Sequence, residues 1–385
     1  MGSPGGRWFG VGHSSAPESA KAGAEAAGAA LSGRTPKAVF VFAAPSHDLP
    51  ALIDAVRAEA GPQAAIVGGS TLGEISSAGG ATRGGVAISA LGGSGFDIRT
   101  RIAYVGGNGH REAGAEVAQA MTGIDRPHTA LLLIAEGMSG NPHEIVRGAY
   151  SVLGAAVPLV GGLTSNGTEK RSFQLYEDRV VSGAVIGVAI GSDAPLGVGA
   201  AHGWRRVEPP MVITRSEGNR ILEFDGEPAL DVLLRRRGLD HAEQLFAHET
   251  RLQAVGLSRR SGEDIRIVFG ADEQERSVCG PATMPQGAVC WLMDADVQDI
   301  LSGATSSCRQ AVAALGGADP LGVFAFDCSG RHGALGEAGI QEEAGLISAA
   351  LPGVPFAGFY TMGEIARVRG SLGFHSLTLV TLAVA

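Results

Sequence analysis

Three stretches of the chain repeat one order of apolar and polar positions. The first opens with an unbroken apolar run at 38–42, which reads as a strand buried on both faces. A segment with helical periodicity follows over 49–60, then a second strand ending in the glycine-rich turn Gly68-Gly-Ser-Thr-Leu-Gly-Glu-Ile75. The second stretch has an apolar run at 129–135, a helical segment at 142–153 and the turn Gly161-Gly-Leu-Thr-Ser-Asn-Gly167. The third has an apolar run at 321–326, a helical segment at 341–350 and the turn Gly358-Phe-Tyr-Thr-Met-Gly-Glu-Ile365. From the end of the first strand to the first turn glycine there are 26 positions in the first two stretches and 32 in the third. The extra residues of the third fall in 327–336. From that glycine to the next β-rich strand, at 84–91 and 374–384, the first and third stretches both count 16.

Strands alternating with helices give an α/β class with mixed sheets and flanking helices, built from repeated strand-helix-strand-glycine-turn-strand units. A fourth, weaker unit is expected at 288–315, a strand and a helix without the glycine turn. Pro209, Pro210 and Gly218 interrupt the apolar pattern near 203–226, which places a boundary there. The expected organisation is an amino-terminal domain at 1–205, a join at 206–225 and a carboxyl-terminal domain at 226–385.

Composition narrows the function classes. The 385 residues include 59 glycines, roughly twice the usual ~7%, with no Gly-X-Y period, so collagen is excluded. The excess belongs to turns, close backbone approaches or ligand loops. A formal net charge of −9 argues against nucleic acid as the main partner. The one basic run, Arg235 to Arg237, reads as the charged end of an amphipathic helix. Four cysteines, at 279, 290, 308 and 328, form no C-x-x-C pair. No signal peptide is readable in the opening residues, and no apolar run reaches the ~20 residues of a membrane span, so the expected compartment is the cytoplasm.

Catalytic motifs are few. The turn 162–167 has phosphate-loop spacing, but Thr168 and Glu169 stand where Lys and Ser or Thr are needed. His143-Glu144 and His248-Glu249 open like zincin motifs and lack the second histidine.

Two clusters carry candidate chemistry. In the repeated turn, Gly68, Gly69 and Gly73 bare backbone N–H groups for an anion, Ser70 and Thr71 add hydroxyls, and Glu74 suits a cation. Tyr360, Thr361, Gly363 and Glu364 repeat the set, and Thr164 repeats part of it. The same residues also suit a plain turn in which Thr and Glu cap the backbone locally. In the second cluster, Asp327-Cys-Ser-Gly-Arg-His332 leaves the third apolar strand, where residues reach a ligand crevice in open α/β sheets. There Arg331 can clamp a carboxylate, and Cys328 beside Arg331 and His332 can be an activated thiol on a turn, or a small buried cysteine.

At these residues the chain resembles the FIST family. The resemblance rests on Gly10-Val-Gly-His-Ser14, Val67 to Ile75, Gly203-Trp-Arg-Arg-Val207, Asp225-Gly-Glu-Pro-Ala-Leu230, Cys328-Ser-Gly-Arg331 and Gly358 to Ile365, in family order across nearly the whole chain. It implies two linked domains acting as an intracellular small-ligand sensory module, more a binder than an enzyme. The ligand it suggests is an amino acid or similar carboxylate, held between the glycine turns and the Cys328–His332 segment. Some members are described as haem proteins sensing nitric oxide, which leaves haem as an alternative cofactor; a cysteine enzyme using Cys328 is a third reading. No output domain is recognisable, so signalling would pass to a separate partner protein.

Overall fold

The computed structural model describes residues 6–106, 109–137, 141–167, 171–247, 252–259, 262–367 and 373–385. Thr168, Glu169, His248 and Glu249 lie outside them. A first unit runs β1 (Trp8–Ser14), α1 (Ser19–Leu31), β2 (Ala38–Ala43), α2 (Leu49–Ala60), β3 (Ala65–Ser70), β4 (Glu74–Ser76), β5 (Gly80–Thr82) and β6 (Val86–Gly92). A second repeats that order as β7 (Phe96–Tyr104), α3 (Gly109–Ala118), β8 (His128–Ala135), α4 (Pro142–Leu153), β9 (Leu159–Leu163), β10 (Gln174–Tyr176), β11 (Arg179–Val181) and β12 (Ala184–Ser192). Helices α2 and α4 start where Asp48 and Asn141 accept a hydrogen bond from a backbone N–H of the first turn, each followed within two residues by proline.

The third unit is split. Its first strand β13 (Leu196–Ala201) is followed by β14 (Arg205–Arg206), β15 (Met211–Glu217), β16 (Arg220–Phe224), β17 (Glu227–Pro228), α5 (Ala229–Arg237), α6 (Ala242–Leu245), β18 (Gln253–Arg259), β19 (Gly262–Val268), β20 (Gly270–Asp272), β21 (Ser277–Cys279) and β22 (Val289–Asp294). The unit then resumes with α7 (Val297–Ala313), β23 (Gly322–Cys328), α8 (Ser329–Ala350), β24 (Phe356–Thr361), β25 (Glu364–Arg367), β26 (Gly373–His375) and β27 (Leu379–Val384). Strands β14 to β22 make a separate nine-stranded sheet inserted between β13 and α7. The fourth unit expected at 288–315 therefore dissolves: its strand is β22 of the inserted sheet and its helix is α7 of the third unit. The join expected at 206–225 lies at the entry to the insertion, and β13, on its amino side, pairs with β27 at the carboxyl end.

The three remaining sheets share one strand order: β1-β6-β2-β3-β10-β11, β7-β12-β8-β9-β25-β26 and β13-β27-β23-β24-β4-β5. In each, one central pair is parallel and every other pairing is antiparallel. The last two strands always come from another unit. The first unit gives its hairpin β4–β5 to the third, the third gives β25–β26 to the second, and the second gives β10–β11 to the first. The exchange closes a ring with threefold topology.

Burial follows from that ring. Phe40, Phe42, Leu132, Ile134, Phe324, Phe326 and Phe359 point inward to a shared core, with Phe42 stacked on Phe359 at 4.5 Å. The alternate residues face outward under each unit's own helices, so the strands are apolar on both faces. The first turn glycine of each unit sits where its strand presses on its neighbour. A Cβ there would lie 1.8 Å from the Val41 carbonyl oxygen at Gly68, 1.9 Å from that of Leu133 at Gly161, and 1.5 Å from that of Ala325 at Gly358. Among the described residues, no helix is long and apolar enough to cross a membrane.

Candidate functional site

Directly after the pressed glycine, each unit hands its chain to the next sheet, and a polar latch holds the crossing. The Thr71 hydroxyl donates to Glu74 at 2.6 Å, and Glu74 also accepts from Thr82 and the Gly85 N–H. In the third unit Thr361 donates to Glu364 at 2.6 Å and the Thr378 N–H completes the carboxylate. In the second, Gln174 takes the place of the glutamate: its amide donates to Thr164 at 2.8 Å and its carbonyl accepts from the Ala184 N–H. Sequence reasoning missed Gln174 because the second turn is longer, 13 positions from Gly161 against 6 from Gly68 to Glu74. Strand register identifies it as the first residue of the exchanged strand.

The expected loop donors are thus engaged within the fold. Gly69 packs on Thr164, Gly73 on Tyr360 and Gly363 on Phe374; the Ser70 hydroxyl donates to the Ser165 carbonyl. Ser70, Thr71, Glu74, Thr164, Tyr360, Thr361 and Glu364 are all buried. A ligand at the turns would have to displace these bonds. Burial raises Glu74 to about 7, against the hydrogen bonds from Thr71, Gly85 and Thr82, and burial also raises Glu364.

The segment after β23 differs from its sequence reading. It is not a turn: α8 begins at Ser329 and is broken at Gly336, whose φ of 63° and ψ of 179° are non-helical. Residues 329–335 form a half-helix, and they account for the longer spacing of the third unit. An activated Cys328 is also corrected. Its thiol is buried and donates to Glu364, and burial pushes it up, while His332 bonds Arg83 and packs edge-on against the Tyr360 ring.

Arg331 turns inward. Its guanidinium donates to Asp327 at 2.7 Å, to Glu343, to the His202 carbonyl at 2.9 Å and to the Ile300 carbonyl at 3.2 Å, with no exposed surface. Burial alone would lower Arg331, but Asp327 and Glu343 outweigh it and hold the group above its ordinary value. Tyr360, the partner of Asp327 across the parallel pair, is raised by burial and then by Glu343 and Asp327. At the same register the first unit has Ala43 and Ser70, and the second has Ala135 and Leu163. The charged layer under α8 is peculiar to the third unit.

Above this layer lies a cleft of about 290 Å³, bounded by Trp204, Arg205, Leu252, Asp294, Ala295, Asp296, Ile300 and Ala334. The inserted sheet and its margins form one wall and the half-helix the other; a Cβ on Gly330 would lie 3.2 Å from Leu252. Arg331 lies beneath, tied to Ile300 of the cleft wall. Arg205 and Asp294 are register partners on β14 and β22, and Arg205 also bonds Asp299 at 2.9 Å. Among the described residues no His, Cys or Tyr lines the cleft, and His47, His143, His332 and His375 are each bonded within the fold, so these residues do not fit an axial haem ligand there. Among the described residues no group of three His, Cys, Asp or Glu could hold a metal ion.

Comparison with known proteins covers both halves of the chain. Residues 37–227 match the FIST N domain and residues 229–367 match the FIST C domain. The chain is similar to an uncharacterized protein of Mycobacterium tuberculosis (strain CDC 1551 / Oshkosh), 27% identical over 235 residues that cover 57% of this chain and 59% of the relative. It is also similar to an uncharacterized protein of Mycobacterium bovis (strain ATCC BAA-935 / AF2122/97), 28% identical over 229 residues, 57% of this chain and 58% of the relative. These alignments span less than two thirds of either relative.

Proposed function

Because the chain belongs to the FIST family, a family of sensory modules, we propose that it is a small-ligand sensor whose ligand occupies the cleft between the inserted sheet and the half-helix. One observation carries this reading. The third unit's two departures from the threefold plan, the insertion between β13 and α7 and the half-helix 329–335, form walls of the same cleft. Chain added to a repeat at two distant points has no packing reason to converge; a shared ligand supplies one.

The cleft is near the lower end of the size range of small-molecule sites. Arg205 offers a guanidinium for a carboxylate, and Asp294 and Asp296 offer acceptors for an ammonium group. Both signs in one small volume favour an amino acid or similar zwitterion. Cys328, Arg331, Tyr360 and Glu364 stand behind the wall as support, and the turn residues Gly68 to Glu74, Thr164, Thr361 and Gly363 brace the crossings beneath. Occupation would press the inserted sheet against the half-helix and so present a changed surface to a separate signalling protein in the cytoplasm.

Thermal-shift and calorimetric screening against the free amino acids tests the reading. At least one is expected to raise Tm and quench or shift Trp204 emission. Leu252→Trp, which fills the cleft, should abolish that response while leaving the unliganded fold intact. A ligand that still stabilises Leu252→Trp as well as the wild type would place the site elsewhere.

A further inference from the structure

Beneath the cleft, Asp327 and Glu343 each place one carboxylate oxygen on Arg331. Their other oxygens, Asp327 Oδ2 and Glu343 Oε2, find no donor, and neither does the Tyr360 hydroxyl find a partner. All three residues are fully buried. Asp327 accepts from Nε and Glu343 from Nη2 of the same guanidinium, so the two carboxyl groups sit on neighbouring N–H groups. Ionised carboxylates only accept, so two of them side by side leave both outer oxygens unsatisfied and strand one negative charge that a single guanidinium cannot neutralise. One proton resolves both faults: one acid becomes a donor, the other accepts, and the Asp327, Glu343 and Arg331 set becomes neutral.

We propose that Asp327 and Glu343 share one proton, forming an acid pair under the cleft, and that Arg331 transmits the state of the pair to the cleft wall. The link is geometric: Arg331 bonds the carbonyls of Ile300, which lines the cleft, and of His202, two residues before Trp204. The charged and titratable groups around the pair are Arg331 and His332 on α8, Cys328 next to Asp327 on β23, Tyr360 on β24, Cys308 on α7 and Glu364 on β25, with Glu337 and Arg83 beyond His332. None of them, Arg331 included, places a donor on the two outer oxygens. When the proton leaves, the extra charge draws Arg331 toward the pair and loosens its bonds to Ile300 and His202.

Burial, and then Asp327, raise Glu343 in the folded protein. A raised value means that the folded state holds the proton more tightly than the unfolded chain, so this stabilisation is complete at acid pH and is lost as pH rises through the folded value.

The test needs no ligand, so it stands or falls apart from the choice of ligand above. Infrared spectra at neutral pH should show a protonated carboxyl band that loses intensity in Glu343→Gln or Asp327→Asn. Glu364→Gln and Glu74→Gln serve as controls for the other buried acids. With Trp204 as the sole indole, in a Trp8→Phe and Trp291→Phe background, its emission should shift with pH at the midpoint of that band, and Glu343→Gln should flatten the shift. If neither pair variant alters the band, or if the Trp204 shift survives Glu343→Gln unchanged, the shared proton is overturned. Should both pair variants fail to fold, an absence of any protonated carboxyl band in the wild type at neutral pH overturns it as well.

Discussion

The third unit and the first two share a frame and differ in what fills it. Between sheet and helices the first unit packs Val39, Val41, Leu52, Ile53 and Val56, and the second packs Leu131, Leu133, Ile145, Val146 and Ala149. Under α8 the third unit places Asp327, Arg331, Glu343 and Tyr360 at the same depth. Two units show that an apolar layer suffices to hold this fold. A buried ion pair is weak evidence for stability, since its desolvation cost is comparable to its Coulombic gain. The charged layer therefore marks where the frame gives up packing for another task, and the cleft formed by both insertions lies directly over it.

The largest effect tests the shared frame. Alanine at Gly68, Gly161 or Gly358 puts a Cβ within 2 Å of a neighbouring carbonyl oxygen, so each should destabilise by at least about 4 kcal/mol, to a similar extent in all three units. Denaturant melts of the three variants would check this; a mild Gly358→Ala would show that the third unit does not share the frame. Next in size, Arg331→Ala leaves two buried acids with one guanidinium removed and should cost about 3–5 kcal/mol. Replacing Asp327, Arg331 and Glu343 together by Ala, Met and Leu, which mimics the apolar units, should restore most of that stability in chemical denaturation. The same triple variant should lose the Trp204 response to ligand.

A smaller, pH-dependent effect separates the latches. Glu74, raised to about 7 in the folded protein, contributes stability that is present below its unfolded value and is lost as pH rises through about 7. Glu74→Gln copies the second unit's Gln174 and should remove that loss, amounting to about 3 kcal/mol between pH 4.5 and pH 8. Melting temperatures across this range check it, and parallel curves for the two proteins would refute the assigned role of Glu74.

Much of the frame was legible along the chain. The strands at 38–42, 129–135 and 321–326 and the helices at 49–60 and 142–153 fall where the apolar pattern predicts, because strands buried on two faces and helices buried on one leave opposite periodicities. The equal spacing of Gly68 and Gly161 from the preceding strands reflects the same pressed backbone contact. Gln174 was not legible, since its equivalence to Glu74 depends on strand register across a turn of different length. Nor was the half-helix, because Ser329 and Gly330 read as turn formers, whereas the Asp327–Arg331 bond one helical turn apart helps hold the segment helical.

Sequence by itself determined the class, the order of the repeated strands and helices, and the family, all of which follow from local periodicity and short motifs. Only the tertiary structure decided which unit receives each hairpin, that Arg331 faces Asp327 and Glu343 instead of an open crevice, and that the two insertions meet. Those outcomes rest on contacts between segments far apart along the chain, such as Arg331 with His202 and Gly330 beside Leu252. Local sequence fixes which face of a strand or helix is apolar; which distant face it meets is settled when the three sheets close around one core.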